Sequence, residues 1–102
     1  MQPGAFAADF DGSSQTLTVA GDVEEESALA LRDAIDAHSA SFTRPLVIDL
    51  TAVTYLPSVA VGVLAKAGQK ATTAGQPLDL VAADGSIAQR VLTVCALPHR
   101  TS

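Results

Sequence analysis

The sequence predicts an α/β fold in which helices pack against a mixed β-sheet, with the element order β-β-α-β-α-β-α. Three observations predict this class. Two short segments of β-forming residues are separated by the turn sequence DGSS, helical and strand-like patterns alternate after them, and no linker or repeat interrupts the alternation. A chain of 102 residues with 48% hydrophobic content is long enough for one core, so a single domain over residues 1–102 is expected.

A hairpin and a helix are predicted first. Residues 5–10 and 15–20 are interpreted as two antiparallel strands, because the Gly-containing sequence between them is a turn signal. The clearest helix lies within residues 21–40, where apolar residues recur at helical spacing and charged residues occupy the other face. Three glutamates stand near its start, where the positive end of the helix dipole favours acidic side chains.

The segment PLVIDL, residues 45–50, is the predicted central strand. It is a continuous apolar run interrupted only by Asp49, which is typical of a strand buried on both faces. Residues 51–57, TAVTYLP, are predicted to form a loop, with Pro57 in an extended approach to the next helix. A lone carboxylate in an apolar strand is costly to bury, so Asp49 is expected at the carboxyl end of the strand, facing this loop.

Two helices and a strand complete the prediction. The second helix covers residues 58–74, and a strand follows over residues 78–82. The third helix is expected to begin near Ser86 and to be ended by Pro98.

Composition excludes several classes of function. The net charge is −5, and the six Lys and Arg residues are scattered, which disfavours nucleic acids and anionic membranes and favours a protein partner. No stretch of about 18 apolar residues predicts a membrane span. The amino terminus lacks the pattern of a secretory signal, and the single cysteine, Cys95, forms no internal disulfide, so a cytoplasmic location is expected.

The sequence contains no motif that predicts catalysis. A Gly-rich phosphate loop, a Gly-x-Ser-x-Gly turn and a Cys-x-x-Cys pair are all absent, so no enzyme and no cofactor is expected. His38 and His99 have no partner at metal-ligand spacing and are predicted to be surface residues. Cys95 is expected to be a small core residue, with a redox or intermolecular disulfide role as the alternative.

Ser58 has two interpretations. As the N-cap of the second helix it would stabilise the fold by about 1 kcal/mol relative to alanine. As a phosphorylation site it would use the free N–H groups and the positive dipole end of the helix to stabilise an added charge of about −1.5 to −2. The two roles are compatible, and the residues alone leave both open.

Four stretches covering residues 15–97 resemble the STAS family, which includes sulfate-transporter domains and anti-sigma-factor antagonists. They are LTVAGDVEEESALALRDAI, LVIDLTAVTYLPSVAVGVL, AKAGQKATTAGQPLDLVAA and SIAQRVLTVCAL. The resemblance implies the STAS arrangement of a mixed sheet with helices packed against it. Members of the family usually continue into another strand and helix, so the chain is expected to be short at its carboxyl end, with those elements absent or a partner chain covering the sheet edge.

In the antagonist branch of this family, a kinase phosphorylates the first serine of an Asp-Ser-Ser-Gly motif. The unphosphorylated form binds this kinase, which is an anti-sigma factor, and so releases a sigma factor. The resemblance places Ser58 at the phosphorylated serine, whereas Pro57, Val59 and Ala60 replace the Asp, the second Ser and the Gly. Asp49 matches the Asp that closes the central strand and is expected to support the switch.

The resemblance also implies a partner surface and alternatives to the switch. The surface combines the turn after the second strand with the start of the second helix, and its predicted residues are Asp22, Val23, Glu24, Pro57, Val59, Ala60 and Val61. For the turn residues, a solvated helix start is the other interpretation. The alternative function is an accessory STAS subunit of a lipid-transporting ABC complex, acting as a scaffold without phosphorylation. A homodimer is a further alternative.

Overall fold

The computed structural model describes residues 5–101 and confirms the predicted α/β class and element order. A short fifth strand extends that order beyond the third helix. The elements are β1 (Ala7–Asp11), β2 (Thr16–Asp22), α1 (Glu25–His38), β3 (Leu46–Tyr55), α2 (Ser58–Ala74), β4 (Leu78–Ala82), α3 (Ile87–Val94) and β5 (Arg100–Thr101).

The strands form one sheet in the order β1-β2-β3-β4-β5. β1 and β2 form the predicted antiparallel hairpin, whereas β2, β3, β4 and β5 run parallel to one another. Because parallel strands end at the same edge of a sheet, the connections from β2 to α1, from β3 to α2 and from β4 to α3 all begin there. This arrangement decides which loops share a surface.

β3 is longer than the sequence predicted. The predicted loop over residues 51–57 is wrong as far as Tyr55, because β3 stays paired with β2 up to the pair of Asp22 with Tyr55. The segment TAVTY is rich in β-branched and aromatic residues, which suit a strand. Only Leu56 and Pro57 separate β3 from α2, so the start of α2 lies close to the end of the sheet.

Only one face of β3 is fully buried. Leu46, Ile48 and Leu50 are inaccessible to solvent, whereas Val47 and Asp49 between them are half-buried. The prediction of a strand buried on both faces is therefore wrong. Although the run is almost entirely apolar, its side chains alternate between fully buried and half-buried. The cross-strand pairs place Leu17 and Leu80 beside Ile48, on the buried face.

The helices α1 and α2 pack against each other and cover the core. Small buried alanines such as Ala28 of α1 and Ala67 of α2 allow this close approach. α2 ends at Gly75, whose φ of 76° is the left-handed conformation that a glycine adopts without strain. α3 ends at Val94, ahead of the predicted stop at Pro98, and the amide of Leu97 donates to the carbonyl of Leu92 at 2.9 Å to close its last turn.

Candidate functional site

Two connections at the carboxyl ends of β2 and β3 are joined by hydrogen bonds. The Thr54 hydroxyl donates to the Asp22 carboxylate, and the Val23 amide donates to the Tyr55 carbonyl at 2.9 Å. The structure thus brings together the two segments that the sequence predicted as one partner surface. We refer to the surface formed by Asp22–Glu24 and Thr54–Val59 as the switch edge.

Irregular pairing in β3 shapes the switch edge. The register between β2 and β3 shifts between Thr18 and Ala20, and again between Gly21 and Asp22, each time with one additional residue in β3. Such bulges bend a strand and re-aim its side chains. At the second shift the additional residue is Thr54, whose side chain is the one that binds Asp22. The bulge therefore supplies the contact that holds the two connections together.

Asp49 lies within β3 and not at its end, so its predicted position at the carboxyl end of the strand is wrong. Its Oδ1 accepts a hydrogen bond from the Thr51 amide at 2.9 Å, next to the first register shift. An amide displaced from the ladder needs another acceptor, and the Asp49 carboxylate provides it. Asp49 is also the last β3 residue paired with β4, opposite Val81. Its observed role is to stabilise the bulge, and its support of a switch stays a prediction.

Ser58 is the first residue of α2 and is exposed to solvent. Pro57 is the N-cap residue, and no side-chain hydrogen bond caps the helix. The interpretation of Ser58 as a cap is therefore wrong, because Ser58 lies one residue too far into the helix. The first backbone bonds run from the amides of Ala60 and Val61 to the Pro57 carbonyl, at 3.0 and 3.1 Å. The amides of Ser58 and Val59 come before these bonds and point towards the helix start.

The predicted contact residues divide into exposed and buried side chains. Glu24 and Val59 are exposed, whereas Asp22 and Pro57 are half-buried. The other three predicted contacts are buried, and contact through their side chains does not fit the structure; they are Val23, Ala60 and Val61. All three belong to the hydrophobic core cluster beneath the switch edge.

Tyr55 is a surface residue of the switch edge that the sequence analysis missed. Its side chain is 51% exposed, close to the 44% of Val59. Ile87, at the start of α3 on the same side of the sheet, is 50% exposed. Regular alternation does not predict this exposure, because Val53 two residues earlier is buried and the bulge at Thr54 interrupts the period between them. Exposed large apolar side chains near connecting loops are typical of a protein-binding surface.

The remaining candidates lie away from the switch edge. Cys95 is exposed at the carboxyl end of α3, so its predicted place in the core is wrong, and its redox role stays a prediction. His38 stacks on Phe10 with ring centroids 4.1 Å apart, and His99 Nδ1 lies 2.8 Å from the Leu97 carbonyl. Both histidines are half-buried, which corrects the prediction of surface residues.

Two classes of site receive no support within residues 5–101. No group of three or more His, Cys, Asp or Glu side chains is placed to hold a metal ion in that range. The same residues include no helix with the length and apolar character needed to span a membrane.

Comparison with known proteins identifies the family. The model of the family described as "Mlab, STAS domain" matches residues 6–97, and the chain therefore belongs to the STAS family. A crystal structure of an anti-sigma factor antagonist from Mycobacterium paratuberculosis superposes with a TM-score of 0.79 at 28% sequence identity, covering 94% of this chain and 82% of the other. The structure of a candidate anti-sigma factor antagonist from Thermotoga maritima gives a TM-score of 0.70 at 14% identity, covering 95% and 86%. The second likeness shows the fold alone.

Proposed function

We propose that this STAS domain is a regulatory module of the anti-sigma-factor-antagonist type, without enzymatic activity. In its unphosphorylated form it binds an anti-sigma factor or related serine kinase in the cytoplasm and so relieves inhibition of a sigma factor. Phosphorylation of Ser58 ends this binding. The observation that carries the proposal is the position of Ser58, which is exposed at the first residue of α2, makes no cap hydrogen bond and lies within the switch edge.

The switch edge has the composition of a protein-binding surface. Tyr55 and Val59 offer exposed apolar area on either side of Ser58, and Glu24 adds an exposed carboxylate at the start of α1. Aromatic residues are enriched at the energetic centres of interfaces, where surrounding contacts exclude water. A partner that covers Tyr55 and Val59 would also bury the Ser58 hydroxyl. Any charge added to Ser58 would then have to be desolvated in the complex.

Phosphorylation at this position changes the charge of the surface without changing the fold. The phosphate would add about −1.5 to −2 charge and could be held by the amides of Ser58 and Val59, which precede the first helical hydrogen bonds. The helix dipole favours that charge in the free protein. A partner that meets the surface would lose the apolar contact and encounter a dianion beside Glu24. The kinase supplies ATP, so this chain needs no cofactor.

The likeness to the Mycobacterium paratuberculosis antagonist supports the regulatory class. Pro57 stands where the family motif has an acid, and this departure supports the scaffold alternative, in which the same surface binds a membrane-transporter subunit without phosphorylation. The two functions differ in one measurable property. A regulatory switch depends on the charge at residue 58, whereas a scaffold does not.

The decisive experiment combines capture of the partner with variants of Ser58. Tagged protein purified gently from its host is analysed by mass spectrometry, and the captured partner is then titrated against Ser58→Glu, Ser58→Ala and the parent protein. We expect Ser58→Glu to weaken binding more than about tenfold, which corresponds to about 1.4 kcal/mol. The melting temperature should remain unchanged, because the side chain makes no cap hydrogen bond in the fold.

The matched control is Ser14→Glu. Ser14 is also exposed, but it lies in the hairpin turn at the opposite end of β2, so the same charge is added far from the switch edge. Its binding should equal that of the parent. Equal binding by Ser58→Glu and parent, or capture of transporter subunits with unmodified Ser58, would reject the switch and favour the scaffold.

A further inference from the structure

A groove runs between α1 and α2 and reaches Val59, the last residue of the switch edge. Its volume is about 270 Å³. Apolar side chains form its floor, including Ile35 of α1, Val63 of α2 and Phe42 of the connection after α1. This volume suits one or two apolar side chains of a partner.

The rim of the groove is positively charged, although the chain as a whole is acidic. Arg32, Lys66 and Lys70 line it, which is three of the six Lys and Arg residues in a chain of net charge −5. α2 contains no Asp or Glu, so its two lysines have no acidic neighbour on their own helix. From α1, Asp36 also lines the groove, and Arg32 forms a 3.2 Å ion pair with exposed Asp33. The positive charge on the α2 side of the rim is therefore not balanced by acidic residues of the same helix.

Phe42, which lines the groove, is the last residue of a strained segment. Ala40, Ser41 and Phe42 are consecutive non-glycine residues in the left-handed region, with φ of 49°, 57° and 65°. Such conformations are unfavourable for residues with a Cβ and persist only where the surrounding structure holds them. Here the buried Ser39 hydroxyl accepts the Phe42 amide at 3.1 Å. The Lys70 Nζ lies over the ring of Phe42, 5.9 Å from its centroid.

Gly62 opens the groove at its centre. It lies in the interior of α2, where glycine is less favourable than alanine, and it is exposed. A Cβ built at this residue would meet no atom within 4 Å, so packing within the chain does not require a glycine. A side chain at residue 62 would instead occupy the groove. Gly68 of the same helix also has no atom within 4 Å, but it lines a different depression, beside Leu78 and Leu97.

We propose that this groove binds an acidic amphipathic segment of a partner protein, with apolar side chains over Gly62 and Phe42 and carboxylates against Lys66 and Lys70. Charge complementarity favours this occupant. A second copy of the chain would approach against the repulsion of two molecules of charge −5. Recognition of an anionic membrane commonly uses about four to eight clustered cations, whereas this rim has three. Ser58 does not line the groove, so the proposal goes beyond the switch at Ser58, although the neighbouring Val59 belongs to both surfaces.

The proposal is tested by nuclear magnetic resonance titration of the isotope-labelled protein with a synthetic peptide. The peptide is an amphipathic helix of Leu and Glu, and its control carries Lys in place of every Glu. We expect saturable shifts of the amides of Gly62, Lys66 and Lys70 with the acidic peptide, and at least about tenfold weaker binding of the basic one. Absence of saturable shifts, equal binding of both peptides, or shifts centred elsewhere would overturn the proposal.

Variants locate the binding within the groove. Gly62→Leu fills it and should abolish peptide binding, with a melting temperature at least equal to that of the parent because leucine favours a helix. Gly68→Leu makes the same change on the same helix outside the groove and should bind the peptide as the parent does. The double variant Lys66→Glu with Lys70→Glu should weaken binding at least about tenfold. Parent-like binding by Gly62→Leu would refute the site.

Two further measurements distinguish other occupants. A dimer in sedimentation that dissociates on the double lysine change would assign the groove to a second copy and overturn the proposal. Binding to phosphatidylglycerol vesicles that the same change removes would assign it to a membrane, with the same consequence. Ser58 does not line the groove, so Ser58→Glu should weaken peptide binding far less than the double lysine change does. Failure of the switch and failure of the groove are therefore separate results.

Discussion

Two helices of this domain begin beside a serine, and they use it differently. At α3, Ser86 is the N-cap residue, its hydroxyl accepts the Gln89 amide at 3.1 Å, and the Gln89 side chain in turn accepts the Gly85 amide at 3.0 Å. At α2, Pro57 occupies the cap position and no side chain caps the helix, while Ser58 lies exposed in the first turn. Ser86 lies at the N-cap position and stabilises its helix, whereas Ser58 lies one residue later in its helix and its hydroxyl makes no cap hydrogen bond.

The difference matters for regulation. A phosphate on a capping serine would remove a hydrogen bond on which the helix depends, so modification would alter stability together with binding. A phosphate on Ser58 would break no cap hydrogen bond, so the fold can remain the same in the phosphorylated and unphosphorylated protein. The other serines with a described side-chain bond, Ser39 and Ser13, are committed to local structure as Ser86 is. Replacing Ser39, Ser86 and Ser58 by alanine, and Asp11, the acceptor of Ser13, by asparagine, therefore tests the comparison.

Ser39→Ala should have the largest effect on stability. Its hydroxyl is buried and accepts the Phe42 amide, and this bond holds the left-handed segment from Ala40 to Phe42. Removal would leave a buried N–H group without a partner, at a cost of about 1–3 kcal/mol. Chemical denaturation should show this as a lower midpoint with an unchanged slope. A loss as small as that of an exposed serine would mean that water replaces the hydroxyl.

Ser86→Ala and Ser58→Ala form the central pair. Ser86→Ala removes a side-chain cap and should destabilise the domain by about 1 kcal/mol, whereas Ser58→Ala removes no cap bond and should change stability by less than about 0.5 kcal/mol. Thermal denaturation of both variants measures the difference. Equal losses would show that Ser58 does cap α2 in solution, and the argument for a free hydroxyl would fail.

Sequence patterns distinguished most elements but not these two serines. Hydrophobic periodicity predicted α1 and α2, because in both helices the buried positions recur at helical spacing. It failed for the end of β3, where irregular pairing with β2 extends the strand to Tyr55. The cap position at α2 depends on a single residue of offset, and local propensity does not resolve that offset. A Gln follows Ser86 at the third position, whereas Val61 follows Ser58, and this contrast was the available signal.

The sequence predicted which two segments meet at the switch edge, but not which of their side chains reach the surface. Ala60 and Val61 were predicted to contact the partner, but both side chains are buried in the core and do not reach the surface. Tyr55 belongs to the switch edge because β3 continues past Leu50 as far as this residue. The strand order that joins Asp22 to Thr54 is a tertiary property, which no window of sequence contains.

The smallest expected effect concerns Ser13 in the hairpin turn, and it depends on pH. The hydroxyl and the amide of Ser13 both donate to Asp11 Oδ1, at 2.7 and 3.0 Å, and these bonds hold the pKa of the Asp11 carboxyl below its usual value of 3.8. A carboxyl whose pKa is lowered on folding contributes stability that is present above the unfolded pKa and is lost as the pH falls through the folded pKa. Asp11→Asn should therefore be slightly less stable than the parent at neutral pH, and the difference should shrink below about pH 4. Melting temperatures of both proteins across this range provide the measurement. A difference that does not vary with pH would show that the turn depends on the shape of residue 11 and not on its charge. The hydrogen bonds from Ser13 to a charged carboxylate would then not stabilise the fold in the way that the Ser86 cap does.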